Sequence, residues 1–222
     1  MEPPRYKLLS TALAPQPRQM PPPPFDRDEL QRIFADVSRT YPYQSFQFTP
    51  NGRGAAFTNG PGDSVELRPA QLQIDAKMDG PDVLTGPMAS GKITKIFKVA
   101  CDRLKVEAFL QCRIHIVASV DAPDQDAKKF VAEKLAHDVE QAPELGPDYF
   151  AGGVRFRRLV PPQGGEDNLT IEPDVNNNSL LFVEFDMIRG AISGPIELDQ
   201  VSEWIDEALD FVAGPTMRLL SR

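Results

Sequence analysis

Polar and apolar residues alternate at every second position through QLQIDA, Gln71 to Ala76, so Leu72 and Ile74 point to one side while Gln71, Gln73 and Asp75 point to the other. A strand with one dry and one wet side belongs to an antiparallel sheet covered on a single face, because parallel sheets are buried on both. Similar short runs stand upstream in SFQF, AAFTN and SVELR, parted by Asn-Gly, Gly-Pro-Gly and Arg-Pro punctuation. Together these runs predict an antiparallel meander. YKLLSTAL near the N-terminus and CRIHIVASV in mid-chain add two strands. GGVRFRRLV, NLTIEP and SLLFVEFDMI add three more, parted by the loop PPQGGED and the turn NNNS.

Elsewhere the spacing becomes helical. Asp26 and Glu29 have capping-box spacing and Phe25 and Leu30 staple spacing, and Leu30, Ile33, Phe34, Val37 and Tyr41 continue the stripe. A second helix is expected from about Ser90 to Glu107, with Ile93, Ile96, Phe97, Ala100 and Leu104 inward, and a third from about Asp124 to Glu140. The last starts near Leu198 and buries Leu198, Val201, Ile205, Ala208 and Val212 until Gly214-Pro215 interrupts or kinks it. The proline-rich connection over residues 14–25 is extended; it resembles a ligand for an SH3-type domain but is read as a spacer. The expected architecture is α+β, a mainly antiparallel sheet of meanders with about four helices packed on it, in a single domain over residues 1–222.

Composition sets limits on partners. With 24 Lys and Arg against 32 Asp and Glu the chain is acidic, net charge -8, which works against binding nucleic acid through its phosphates and favours a protein partner with a basic surface. A homo-oligomer is compatible with the same composition. No apolar run is long enough for a membrane helix, and the N-terminal residues lack the pattern of a secretion signal, so the expectation is no membrane and a cytoplasmic location. Cys101 and Cys112 lack C-x-x-C spacing and are expected to be reduced core thiols rather than metal ligands.

GPMASGKI, Gly86 to Ile93, matches a phosphate-binding loop through Gly86, Gly91 and Lys92 but puts Ile93 where the magnesium-binding hydroxyl belongs. The preceding KMDGPDVLT is no buried parallel strand, and Asp121 and Asp186, each ending an apolar run, are weak candidates for a second magnesium ligand. A simpler expectation is that Gly86-Pro87 makes a turn, Ser90 caps the second helix and Lys92 is a solvated residue of its first turn.

Three other features have some chemical interest. Alternation puts Arg113 and His115 on one strand face and Arg155 and Arg157 on one face of another; if those faces coincide they can make an anion-binding cleft, and the competing, favoured reading is a wet sheet face balanced by the carboxylates of an acidic protein. His115 and His137 have no local pattern of metal ligands, so neither a metal nor a cofactor is expected. His137 fits a helix C-terminus. The last helix carries six carboxylates between Glu197 and Asp210 with no Lys or Arg among them, and Glu203, Asp206 and Asp210 are candidates for docking a basic partner.

YP after the first helix, SVELRPAQLQID in the meander and LLFVEFDMIRG before ELDQVSEWIDEALDF are strings by which the chain resembles a sporadically distributed family of uncharacterised bacterial proteins with no established activity. The resemblance implies a bacterial origin and a fold, but no reaction and no site residues. The sequence assembles no catalytic set. The functional expectation is a macromolecule-binding protein, an adaptor or regulatory subunit rather than an enzyme, with a nucleotide-binding protein using Gly86 to Lys92 or a small-anion module as alternatives.

Overall fold

The strand nearest the N-terminus lies in the middle of the sheet. In a computed structural model that describes residues 2–79, 84–135, 152–160, 164–191 and 194–221, without the side chain of Asp124, β1 (Arg5–Pro15) pairs with β5 (Gln71–Lys77) on one side and β6 (Phe109–Asp121) on the other. The meander β2 (Ser45–Phe48), β3 (Ala55–Thr58), β4 (Ser64–Arg68) leads into β5, and β7 (Val154–Val160), β8 (Gly165–Pro173) and β9 (Leu180–Gly190) complete the other half. The order is β2-β3-β4-β5-β1-β6-β9-β8-β7, with antiparallel pairing between every pair of neighbours. The fold is therefore α+β, as the alternation requires.

β5 and β6 both run antiparallel to β1 and so parallel to each other, and α2 (Gly86–Leu104) carries the chain from one to the other. Such a crossover needs a helix-length connection, which a hairpin cannot supply. The inner face of the sheet carries Leu9, Leu13, Leu72, Ile74, Ile114, Ile116, Val183 and Phe185, all buried. They share one continuous core with Ile33 of α1 (Arg27–Ser38), Ile93 and Phe97 of α2, and Val201 and Ile205 of α4 (Leu198–Phe211). Aromatic contacts seal both halves: Phe34 of α1 lies 5.7 Å from Phe57, and Phe185 stacks on Phe211 at 4.6 Å.

The first helix begins as its cap predicts: Asp26 accepts hydrogen bonds from the amides of Asp28 and Glu29. Its expected continuation to Tyr41 stops at Ser38. The second helix departs more from expectation. It starts at Gly86, capped by Thr85, with Pro87 in its first turn where the missing N–H costs nothing. Ser90 is thus inside the helix rather than its cap, and it donates to Asp206 of α4 at 2.8 Å. The third helix is a short α3 (Ala127–Phe130) running into a π-helical turn, Val131–Leu135. Its expected end at Glu140 lies outside the described residues. Gly214-Pro215 interrupts the α-helical pattern, as expected: α4 ends at Phe211, a π-helical turn over Val212–Thr216 takes up Pro215, which has no N–H to donate, and the chain closes with one more turn, Met217–Leu220.

Among the described residues the dry face holds a buried ion pair, Arg189 with Asp167, and a buried hydroxyl, Thr11. Arg189, 3% exposed, donates to Asp167 at 2.6 Å, and Asp167 also accepts from Arg158 at 2.8 Å, so this buried charge is paired on both oxygens. Thr11 has no such partner. It is fully buried on the inner face opposite Ile74 and Ile114, and its hydroxyl has no hydrogen bond. Replacing it with the similarly shaped valine removes an unsatisfied polar group, so Thr11→Val should raise unfolding stability by about 1 kcal/mol, read from denaturant melts. Destabilisation would show that the hydroxyl has a partner in solution.

Candidate functional site

On the outer face of the sheet, register places one polar residue from each strand in a single row. It runs Ser45, Thr58, Ser64, Asp75, Ser10, His115, Asp186, Asn168, Arg157, each directly opposite the next. Several neighbours are bonded side chain to side chain. Ser45 and Thr58 share a hydrogen bond at 2.8 Å, and Asp75 accepts from Ser64 at 2.9 Å and from Ser10 at 2.5 Å. Cross-strand hydroxyl and carboxylate pairs of this kind satisfy the wet face of a sheet and fix its register.

The middle of the row opens into a depression of about 470 Å³, lined by Ser10, Gln73, Asp75, Arg113, His115 and Glu184 among others. His115 Nδ1 lies 3.2 Å from Asp186 Oδ1 and 3.6 Å from Glu184 Oε1, and Arg113 Nε donates to the same Asp186 oxygen at 2.8 Å. Burial alone would raise the Asp186 carboxyl, but the hydrogen bonds from His115 and Arg113 outweigh it and hold the group at about 2. Ser10, His115 and Asp186 are on adjacent strands, yet the Ser10 hydroxyl is committed to Asp75, so the row is not arranged as a nucleophile with its base.

The two faces that bear Arg113 with His115 and Arg155 with Arg157 do coincide. Arg157 stands opposite Asn168, Arg155 opposite Thr170, and both partners share the face of Asp186 and Glu184. The carboxylates change what the face can hold, however. Arg113 is paired with Asp186, and Arg157 with Glu166 at 2.6 Å. Of the two readings offered by the sequence, the pairs at Arg113 and Arg157 fit a wet face balanced by carboxylates, and its centre joins one guanidinium to two carboxylates and an imidazole. Sequence reasoning missed Glu184. Its signal was present, since Glu184 and Asp186 alternate with Val183, Phe185 and Met187 and must share a face.

Gly86, Gly91 and Lys92 lie in the first two turns of α2, where backbone N–H groups enter the helix: the amide of Ala89, for instance, donates to the Thr85 carbonyl. No loop is left there to surround a phosphate. Lys92 is not solvated, as expected from the sequence, but 6% exposed. Its ammonium pairs with Asp63 and sits 5.7 Å and 5.2 Å from the ring centres of Tyr41 and Tyr43, tying α2 to the meander. Tyr43 donates to the same Asp63 at 3.3 Å.

Glu203, Asp206 and Asp210 are exposed on α4, as their spacing indicates, although Asp206 accepts the Ser90 bond. Cys101 and Cys112 are buried free thiols, each pushed up to about 12 chiefly by burial. His137 lies outside the described residues. No helix among those described is long and apolar enough to cross a membrane. No protein-family model matches the sequence, and no curated protein matches it.

A lysine held in a buried pair is unavailable to a nucleotide. Millimolar ATP or GTP with magnesium should leave the melting temperature unchanged, and Lys92→Met should cost about 3 kcal/mol by stranding Asp63. A nucleotide-induced rise in melting temperature that Lys92→Met abolishes would restore the phosphate-loop assignment.

Proposed function

We propose that the chain is a non-enzymatic, macromolecule-binding protein, an adaptor or regulatory subunit, that docks a protein with a basic surface on the outer face of α4. The observation that carries this reading is the unneutralised charge of that face. Of its carboxylates only Glu207 approaches a cation among the described residues, Arg189 at 3.7 Å, and that guanidinium is buried and already bonded to Asp167. Glu203, Asp206 and Asp210 have no basic partner among the described residues, and like charges one turn apart repel by a few tenths of a kcal/mol per pair. A basic partner relieves that repulsion and gains electrostatic steering.

Two further features support a protein partner. β7 is an edge strand whose five residues Arg155 to Leu159 are all exposed, Phe156 at 43% and Leu159 at 67%, and an edge of this kind offers unpaired backbone groups to another chain. Arg113 and Arg157 on the outer face are bound to carboxylates of the same sheet, which leaves the small-anion alternative no free cation at either position.

Binding and stability are separable because α4 is held by its inner side chains. Glu203→Gln with Asp210→Asn leaves the Ser90 bond to Asp206 in place and should change stability by no more than about 0.5 kcal/mol per site. The measurement is the association rate with partners captured from the source cells, at low and at physiological salt. The double variant should associate more slowly and with a weaker salt dependence. Equal rates and equal salt slopes in the two proteins would remove α4 as the docking face.

A further inference from the structure

His115, Glu184 and Asp186 come from two neighbouring strands and offer one imidazole nitrogen and two carboxylate oxygens that all lie within 4.8 Å of one another. We propose that they form a binding site for a first-row divalent transition cation, of the zinc or manganese class, on the outer face of the sheet. This site is independent of α4 and of the docking assigned to it.

The spacing fits such an ion. Ligand atoms around a cation at about 2.0–2.2 Å stand about 3 to 3.5 Å from each other; His115 Nδ1 is 3.6 Å from Glu184 Oε1, and one ligand atom from each of the three residues lies within 4.8 Å of the others, so small side-chain adjustments close the shell. A mixed nitrogen and oxygen donor set selects transition ions over magnesium and calcium, which take all-oxygen shells. Arg113 donates through Nε to Asp186 Oδ1, the oxygen that also faces His115 Nδ1. A ligating carboxylate ordinarily has such a partner, which orients it and leaves its other oxygen for the metal.

A second observation comes from the next strand. Asn168 stands directly opposite Asp186 on the same face and is 6% exposed, and its side-chain oxygen is one of the few buried acceptors among the described residues with no hydrogen bond. Its amide nitrogen donates to Glu166 at 2.6 Å, so the oxygen is the end left over. A buried acceptor without a donor, opposite one of the cluster's carboxylates, is a group that a metal-bound water can satisfy. Three protein ligands also leave coordination positions open. The depression beside His115 and Glu184 gives solvent or a small ligand access to them.

The test uses the full chain, stripped with a chelator and titrated with Zn2+ by calorimetry and with Co2+ by visible absorption. Wild type should bind one ion, and its Co2+ spectrum should show weak d–d bands without the charge-transfer band of a thiolate, because Cys101 and Cys112 are buried apart from the site. Glu184→Gln and, separately, His115→Gln should each weaken Zn2+ binding at least tenfold while keeping the far-ultraviolet circular dichroism of wild type. Glu172→Gln, which removes an exposed carboxylate of the same face outside the cluster, should leave affinity unchanged. Absence of saturable binding, a thiolate band, or equal affinity in wild type and in either cluster variant overturns the assignment.

Discussion

A strand that alternates polar and apolar residues can satisfy water and core at once only if every strand beside it keeps the same register, because a slip of one residue turns its whole dry side outward. That constraint governs this molecule across nine strands. It puts Leu9, Ile74, Ile114 and Phe185 under the helices, and it leaves Ser10, Asp75, His115 and Asp186 in a row on the opposite side. The outer row is thus a consequence of the core. The bonds from Ser64 and Ser10 to Asp75 then reinforce the register from the wet side, since neither could form after a one-residue shift.

The helices are joined to this sheet by polar contacts between segments distant in sequence. Lys92 in α2 reaches Asp63 in the turn between β3 and β4, Ser90 reaches Asp206 in α4, and Arg103 near the end of α2 pairs with Asp36 and Glu29 of α1. Each contact is at most partly exposed, where a charged or hydroxyl partner counts for more than on an open surface. α2 therefore has polar links to the meander, to α1 and to α4. A segment that resembles a nucleotide loop in sequence is in this fold the place where α2 is tied to the meander through Lys92 and to α4 through Ser90.

What could be read from the sequence was local. The Asp26 cap, the meander and the inward stripes of α1 and α4 depend on residues within a turn or a strand of each other, and these match the structure. The start of α2 was misplaced because Thr85 and Ser90 have the same capping chemistry, and only the packing of Gly86 and Ala89 in the core decides between them. Lys92 looked solvated because its partners are 29 residues away or more. His115, Glu184 and Asp186 illustrate the same limit: period two shows which face each occupies, but not that β6 and β9 are neighbours. Gly214-Pro215 was read as interrupting or kinking the last helix, and the α-helical pattern does give way there, but the π-helical turn that replaces it leaves no mark in the sequence.

The central claim is that one face of the sheet is dry and the other open, and single cysteines can test it residue by residue. Placed at Gln73, Arg113 and Glu172 on the outer face, they should react with a maleimide within about tenfold of the unfolded rate, an expectation based on their exposure. Placed at Ile74, Ile114 and Ile171, the adjacent inward positions, they should react only on unfolding, as Cys101 and Cys112 should in the parent chain. Equal protection on both faces would contradict the account, because it would mean that a further layer covers the polar row.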